Sequence, residues 1–132
     1  MNFRTLTLRP SPNQYLVAPE GLCENATPHR TAPVFSMSRE KLDALMSGLI
    51  LKQPRTRRRN VETAPGQHEV VQRTALLGFP DWITFEALEV EGGKSTLALY
   101  SRSVYGWSDL GANKKRIDGW LAKLEEAVRR QG

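Results

Sequence analysis

A dense run of polar side chains lies near the C-terminus of the 132-residue chain, in the stretch YSRSVYGWSDLGANKKRI from residue 100 to residue 117. Serine hydroxyls, arginine guanidinium groups and the free N–H groups at a helix start are groups that bind anions in proteins. The ligand-binding candidates in this stretch are Arg102, Ser103, Ser108, Asn113 and Arg116. The chemistry that they would support is the recognition of a small anionic ligand.

The stretch begins in a predicted strand, and strand geometry limits what its side chains can do together. Side chains alternate between the two faces of a strand, so Ser101 and Ser103 share one face while Arg102 lies on the other. These three side chains cannot hold one ligand from a regular strand. A structural interpretation is that the serines close the end of the core and that Arg102 pairs with a carboxylate. The candidate partners of Arg102 are Asp81, Glu86 and Asp109.

The residues that follow suit a strand-to-helix corner. Gly106 can supply a backbone conformation that a Cβ would forbid. Ser108, Asp109 or Asn113 can accept hydrogen bonds from the free N–H groups of the helix start, and Asp109 as N-cap would let Leu110 extend the apolar stripe of the helix. The predicted structural corner consists of Ser101, Asp81, Gly106, Asp109 and Gly111. The corner is favoured over an anion site, because the Asp109 carboxylate would repel an anion or occupy the N–H groups that it needs.

Motifs for other kinds of chemistry do not occur in the sequence. The chain has two histidines, His29 and His68, and the single Cys23, with no CxxC, HxH or HxxxH spacing, and there is no GxGxxG or P-loop motif. We therefore predict no metal site and no cofactor, and we assign no catalytic residue. A Cys-His arrangement of Cys23 with either histidine, or a Ser-His-Asp arrangement, assembled by the fold stays open.

The positive charge is concentrated in the first half of the chain. Residues 1–66 contain 10 Lys and Arg against 5 Asp and Glu, whereas residues 67–132 contain 9 of each. The densest part is a basic patch of Arg55, Arg57, Arg58 and Arg59. Such a patch could bind nucleic acid, an acidic protein or an anionic lipid surface. The favoured alternative is an edge strand that carries positive charge to prevent unwanted pairing.

Hydrophobic periodicity predicts the elements that position these residues. One helix follows Ser38, a suitable N-cap, and carries an apolar stripe at helical spacing: Leu42, Leu45, Met46, Leu49 and Ile50. A second helix carries the stripe Ile117, Trp120, Leu121, Leu124 and Val128. Strands are predicted over residues 55–63, 69–78, 82–90 and 95–104, with shorter ones at 3–9 and 33–37. The fold class is α+β: an antiparallel sheet of about four to five strands is covered on one face by two helices. We expect one domain over residues 1–132, with an extended Pro-rich arm (1–34) packed on the body (35–132).

The same sequence sets an expectation for the location of the protein. It contains no run of eighteen or more apolar residues, so no membrane span is predicted. The N-terminus has no apolar segment of the kind found in secretory signals, and the one cysteine cannot form an internal disulfide. These features predict a soluble cytoplasmic protein.

The polar stretch also carries a family resemblance. SRSVYGWSDLGANKKRIDGWL (101–121) resembles the signature of the bacterial domain of unknown function 1499 family. RPSPNQYLVAPEGL (9–22), PVFSM (33–37) and VVQRTALLGFPDWI (70–83) resemble other segments of that family in the same order. The resemblance implies no defined activity, cofactor, substrate or catalytic residue. It implies an envelope association for some relatives, whereas this chain shows no signal or anchor.

Three functional hypotheses follow from these observations. The first is a small non-enzymatic module that binds a protein partner or a small ligand near the 101–116 corner. The second is an enzyme that acts on a small anionic substrate. The third is nucleic-acid binding through the basic patch.

Overall fold

The computed structural model describes residues 1–131, and it contains one mixed sheet of six strands with two helices. The elements in chain order are a 3-10 helix (Phe3–Thr5), β1 (Gln14–Ala18), β2 (Arg30–Thr31), α1 (Arg39–Leu51), β3 (Thr56–Arg58), β4 (Gln67–Arg73), β5 (Pro80–Val90), β6 (Lys94–Ser103) and α2 (Ala112–Gln131). The strand order across the sheet is β2-β1-β6-β5-β4-β3. The α+β class is confirmed, but the predicted sheet of four to five antiparallel strands is only roughly right. The sheet has six strands, and β1 and β2 are parallel.

The two additional strands come from the Pro-rich arm. β1 pairs antiparallel with β6, where Gln14 lies opposite Arg102 and Val17 lies opposite Leu99. The strand ends before Pro19 and both of its faces are covered, so it lacks the polar-apolar alternation by which a half-buried strand is recognised in a sequence. All five of its residues are buried. The arm is therefore part of the sheet rather than a separate segment laid on it.

The strand predicted over residues 3–9 is wrong. Residues Phe3–Thr5 form a single turn of 3-10 helix, and the Asn2 side chain accepts a hydrogen bond from the Arg4 N–H at 2.9 Å. Phe3 is buried in a small core on the sheet face that the helices leave free, against Leu16 and Tyr100 among others. The Asn2 cap and the burial of the Phe3 ring therefore determine the local structure here. The alternation of residues 3–9, on which the strand prediction depended, does not determine it.

Both helices confirm the predicted apolar stripes and pack on the same face of the sheet. The Ser38 side chain accepts a hydrogen bond from the Lys41 N–H at 3.2 Å and so caps α1. The main core contains Leu42, Met46 and Ile50 from α1, Ile117, Trp120, Leu121 and Leu124 from α2, and Val70, Ile83, Phe85, Leu97 and Leu99 from the sheet. Within residues 1–131, neither helix is long and apolar enough to cross a membrane.

The strands near the basic patch are shorter than predicted. β3 covers only Thr56–Arg58 and forms one edge of the sheet, as the edge-strand interpretation expects. β4 ends at Arg73, so residues 74–79 form a loop rather than the end of a strand. This loop closes on itself, since the Thr74 N–H donates to the Phe79 carbonyl at 2.9 Å and the Gly78 N–H donates to the Thr74 carbonyl at 3.1 Å.

Candidate functional site

Arg116 lies at the centre of the polar corner between β6 and α2. Its guanidinium donates hydrogen bonds to Asp81 Oδ2 at 2.6 Å, Asn113 Oδ1 at 2.9 Å and Ser101 Oγ at 3.1 Å. It also donates to the Gln72 side chain. The Arg116 side chain is 10% exposed and that of Asp81 is 5% exposed, so this is a buried ion pair with its remaining donors engaged.

Asn113 joins the same network from the first turn of α2. Its side-chain amide is completely buried. The Nδ2 group donates to Asp109 Oδ2 at 2.6 Å and to Ser103 Oγ at 3.0 Å, and it also lies 3.2 Å from the Asn13 carbonyl oxygen. The Oδ1 atom accepts from Ser101 Oγ at 2.6 Å as well as from Arg116. Asn113 therefore connects both serines of β6 to the start of the helix.

Asp109 accepts hydrogen bonds from backbone N–H groups at the start of α2. Its carboxylate accepts from the Gly111 N–H at 2.8 Å and from the Asn113 N–H at 3.0 Å, and α2 begins at Ala112. Burial by itself would raise the pKa of the Asp109 carboxyl, but hydrogen bonds from Asn113 and Gly111 outweigh burial and lower that pKa.

Leu110 does not extend the apolar stripe of α2, so this part of the prediction is wrong. Its backbone has a φ of +54°, which turns the side chain away from the core and leaves it 97% exposed. The neighbouring Gly106 and Gly111 have φ values of +83° and +81°, in the left-handed region that favours glycine. The φ of Gly106 agrees with the prediction that this residue supplies a backbone conformation that a Cβ would forbid.

Arg102 lies on the opposite face of the sheet, as alternation along β6 predicts. Its guanidinium donates to Thr84 Oγ1 at 2.7 Å and to the Tyr100 carbonyl at 3.1 Å, and it lies 3.8 Å from Glu69 Oε2. The prediction that Arg102 pairs with Asp81, Glu86 or Asp109 is therefore wrong, since the nearby carboxylate is that of Glu69. Asp81 and Asp109 belong to the helix side, and Glu86 lies further along the sheet, opposite Ala98. Burial lowers the pKa of Arg102, and the Glu69 charge opposes that shift.

The structure thus divides the ligand-binding candidates into three groups. Ser103, Asn113 and Arg116 are joined in the corner network, Arg102 lies behind the sheet, and Ser108 is exposed. Across residues 1–131, every buried side-chain nitrogen or oxygen has a hydrogen-bond partner within the protein. A ligand would have to displace these internal partners. The ligand-binding role of the five residues stays a prediction.

The four arginines of the basic patch lie in different surroundings. Arg59 pairs with Glu69 at 2.9 Å and lies over the Trp82 ring at 3.7 Å, and Arg58 contacts His68 Nδ1 at 3.0 Å. Arg55 and Arg57 instead line an open cavity of about 540 Å³ together with Arg73, Thr74, Leu76 and Leu77, among others. Arg55, Arg57 and Arg58 are exposed, whereas Arg59 is partly buried.

One arrangement of serine, histidine and aspartate does occur, around His68. Asp43 Oδ1 lies 2.8 Å from His68 Nε2, and Ser47 Oγ lies 3.4 Å from the same nitrogen. A catalytic triad needs the carboxylate on one ring nitrogen and the hydroxyl on the other. Here the other nitrogen faces the Arg58 guanidinium, so the geometry does not activate Ser47 as a nucleophile.

Two loops beside the corner carry most of the large apolar side chains that the protein exposes. Loop 74–79 and loop 104–111 are adjacent, since the Val104 N–H donates to the Pro80 carbonyl at 3.2 Å and the Phe79 and Tyr105 ring centroids are 6.3 Å apart. We call their exposed side chains the apolar loop surface: Leu76, Leu77, Phe79, Tyr105, Trp107 and Leu110. Sequence reasoning missed this surface because it assigned Leu76 and Leu77 to a strand and Leu110 to a helix.

The comparison with known families agrees with the resemblance seen in the polar stretch. The family model described as protein of unknown function (DUF1499) matches residues 6–124. The chain belongs to this family. The DUF1499 match includes β1 and both loops of the apolar loop surface, as well as the whole corner network. Comparisons with curated proteins and with solved structures found no match.

Proposed function

We propose that the protein is a non-enzymatic binding module that contacts its partner through the apolar loop surface. The observation that carries this proposal is exposure: Leu76 and Leu110 are each 97% exposed, and Leu77 and Trp107 are 71% and 63% exposed. Large apolar side chains grouped in this way on a protein surface mark an interaction site. The proposal keeps the binding site beside the 101–116 corner and moves it from the buried polar groups to the loop tips.

The corner supports this proposal by holding loop 104–111 in place. Asn13 Nδ2 donates to the Gly106 carbonyl at 2.6 Å, and Arg9 donates to the Ser103 carbonyl at 2.6 Å. Asn113 and Asp109 fix the far end of the loop at the helix start. A loop secured at both ends presents its apolar side chains with little ordering entropy left to lose on binding.

The geometry favours this function over the two alternatives. The corner guanidinium is already paired with Asp81, and an anionic substrate would have to break that buried ion pair. For nucleic acid, Arg58 and Arg59 are occupied by protein contacts. Bases stack on aromatic rings, whereas the most exposed side chains of the apolar loop surface are leucines, which offer no ring for stacking: Leu76, Leu77 and Leu110.

Site-specific photo-crosslinking in cells tests the proposal, because it captures any molecule that the apolar loop surface contacts. A photoreactive amino acid replaces Leu110 in one variant and Glu91 in a matched control, because Glu91 lies in the exposed turn between β5 and β6 at the other end of the sheet. We expect adducts with protein or lipid at position 110 and few at position 91. Equal yields at the two positions would show that the apolar loop surface is not a contact site.

A further inference from the structure

The segments that carry or adjoin the apolar loop surface are rich in Lys and Arg. The segments 52–57, 73–81 and 104–116 contain seven Lys and Arg but only two acidic residues. Arg116 is neutralised by Asp81, and Lys114 pairs with Asp118. The exposed cations that remain in these segments are Lys52, Arg55, Arg57, Arg73 and Lys115. The other end of the sheet carries Glu89 and Glu91 instead. The exposed charge beside the apolar side chains is therefore positive.

An arginine-lined cavity adjoins the two leucines of loop 74–79. Arg55, Arg57 and Arg73 line this cavity of about 540 Å³, and Leu76 and Leu77 also line it. Hydrogen bonds to main-chain carbonyls position two of these arginines. The Arg73 N–H donates to the Arg55 carbonyl at 3.0 Å, Arg55 Nε donates to the Arg73 carbonyl at 2.9 Å, and the Arg73 guanidinium donates to the Gly78 carbonyl at 2.9 Å. Grouped guanidinium groups of this kind suit a phosphate.

We propose that the apolar loop surface docks on an anionic phospholipid bilayer, with a headgroup phosphate in the cavity of Arg55, Arg57 and Arg73. Leu76, Leu77 and Leu110 enter the boundary between headgroups and acyl chains, and Trp107 and Tyr105 lie at the headgroup level. This inference rests on the proposed function and specifies its partner. The protein binds at the membrane surface and does not span it.

Three features favour a bilayer over a protein or a nucleic acid. The apolar side chains protrude from two loop tips, and protruding leucines enter a fluid interface without needing a matching pocket. Tryptophan and tyrosine are the side chains that concentrate at membrane interfaces. The neighbouring cations match the negative surface potential of anionic lipids, which contributes about 1 kcal/mol for each Lys or Arg near the surface.

Vesicle binding by the full chain tests the proposal. The probes are vesicles of phosphatidylcholine mixed with phosphatidylglycerol, compared with vesicles of phosphatidylcholine alone. We expect sedimentation with the anionic vesicles only, and a blue shift of tryptophan emission that disappears in Trp107→Phe. Trp120 is buried and the Trp82 ring is covered by the Arg59 guanidinium, whereas Trp107 is 63% exposed. Raised salt should weaken the binding, since dissolved ions screen the attraction between the arginines and the anionic headgroups.

Two pairs of variants separate the apolar contribution from the charge contribution. Leu76→Ser/Leu110→Ser should lower partitioning onto anionic vesicles by about tenfold or more. The matched control Val34→Ser/Val61→Ser, at exposed valines of 58% and 44% outside the two loops, should bind as the native chain does. Arg55→Gln/Arg57→Gln should lower partitioning on the order of tenfold. The control Lys94→Gln/Lys123→Gln removes the same charge elsewhere and should have a much smaller effect.

Each other outcome overturns the lipid proposal in a recognisable way. If the arginine variant and the lysine variant lose vesicle binding equally, the net charge of the protein drives the binding and the arginine-lined cavity has no specific role. Absence of vesicle binding, together with protein adducts at position 110, would remove the lipid proposal and leave the proposed function in place. Tighter binding to a single-stranded oligonucleotide than to the vesicles would assign the surface to nucleic acid. Absence of both vesicle binding and adducts would remove both proposals.

Discussion

The Arg116 guanidinium donates to the Asp81 carboxylate at 2.6 Å across the corner where β5, β6 and α2 meet, and both side chains are nearly buried. The two residues are 35 positions apart in the chain. Their contact ties the start of α2 to the start of β5, and the same two elements carry the ends of the exposed loops. The stability of the corner and the shape of the apolar loop surface are therefore coupled.

Asp81→Asn should lower the free energy of unfolding by about 3–5 kcal/mol, because it leaves the buried Arg116 charge without its counter-charge. Chemical denaturation of both proteins measures the difference. The control is Glu126→Gln, which breaks exposed ion pairs with Arg129 and Arg130 and should change the stability little. A second variant, Asp81→Leu/Arg116→Met, should recover much of the loss, since no charge then stays buried. If Asp81→Asn is as stable as the native chain, the pair does not hold the corner.

Asn113→Asp should destabilise the protein although it changes the side-chain volume very little. The new carboxylate would face the Asp109 carboxylate, and its oxygen would replace the Nδ2 donor to Ser103. We expect a loss of about 1–3 kcal/mol, the cost of a buried polar group that has lost its partner. Thermal unfolding, compared with Asn60→Asp at an exposed position, measures it. A loss of the same size in both variants would contradict the role of Asn113.

The contribution of Asp109 should disappear in acid. Its pKa is lowered in the folded protein from the ordinary value of 3.8, because the hydrogen bonds to its carboxylate outweigh burial. A carboxyl with a lowered folded pKa stabilises the protein above the unfolded pKa and loses that effect as the pH falls through the folded pKa. Asp109→Ala should therefore cost about 1 kcal/mol near neutral pH, and less as the pH falls below 3.8. Urea unfolding across this range checks the trend, and a gap that stays constant into acid would contradict it.

Leu110→Asn should stabilise the protein slightly while weakening its binding. Asparagine tolerates the left-handed backbone better than leucine, and the Leu110 side chain buries almost nothing that could be lost. We expect a gain of up to about 1 kcal/mol in the free energy of unfolding. Denaturation and vesicle sedimentation on the same samples measure both effects. A variant that loses stability would show that Leu110 contributes to packing.

The helices were the most predictable part of the fold. The apolar residues Leu42, Met46 and Ile50 repeat at helical spacing, and so do Ile117, Leu121 and Leu124. Each set lies on one side of its helix, and this side must therefore face the core. Alternation along β6 also correctly separated Ser101 and Ser103 from Arg102, because successive side chains of a strand lie on opposite faces. These features depend on residues close together in the chain, and local periodicity therefore determines them.

The tertiary structure alone decided which distant groups meet. The sequence left the partner of Arg102 among three carboxylates, and the sheet register supplied Glu69 instead, because β4 places it opposite Thr84 beside β6. It likewise decided that the arm adds two strands to the sheet and that Leu76, Leu77 and Leu110 face solvent. An apolar residue is buried only when other parts of the chain pack against it, and among residues 1–131 no element packs against the leucines of these loops. The polar corner motif is thus readable from the sequence, but the surface that it holds in place is visible only in three dimensions.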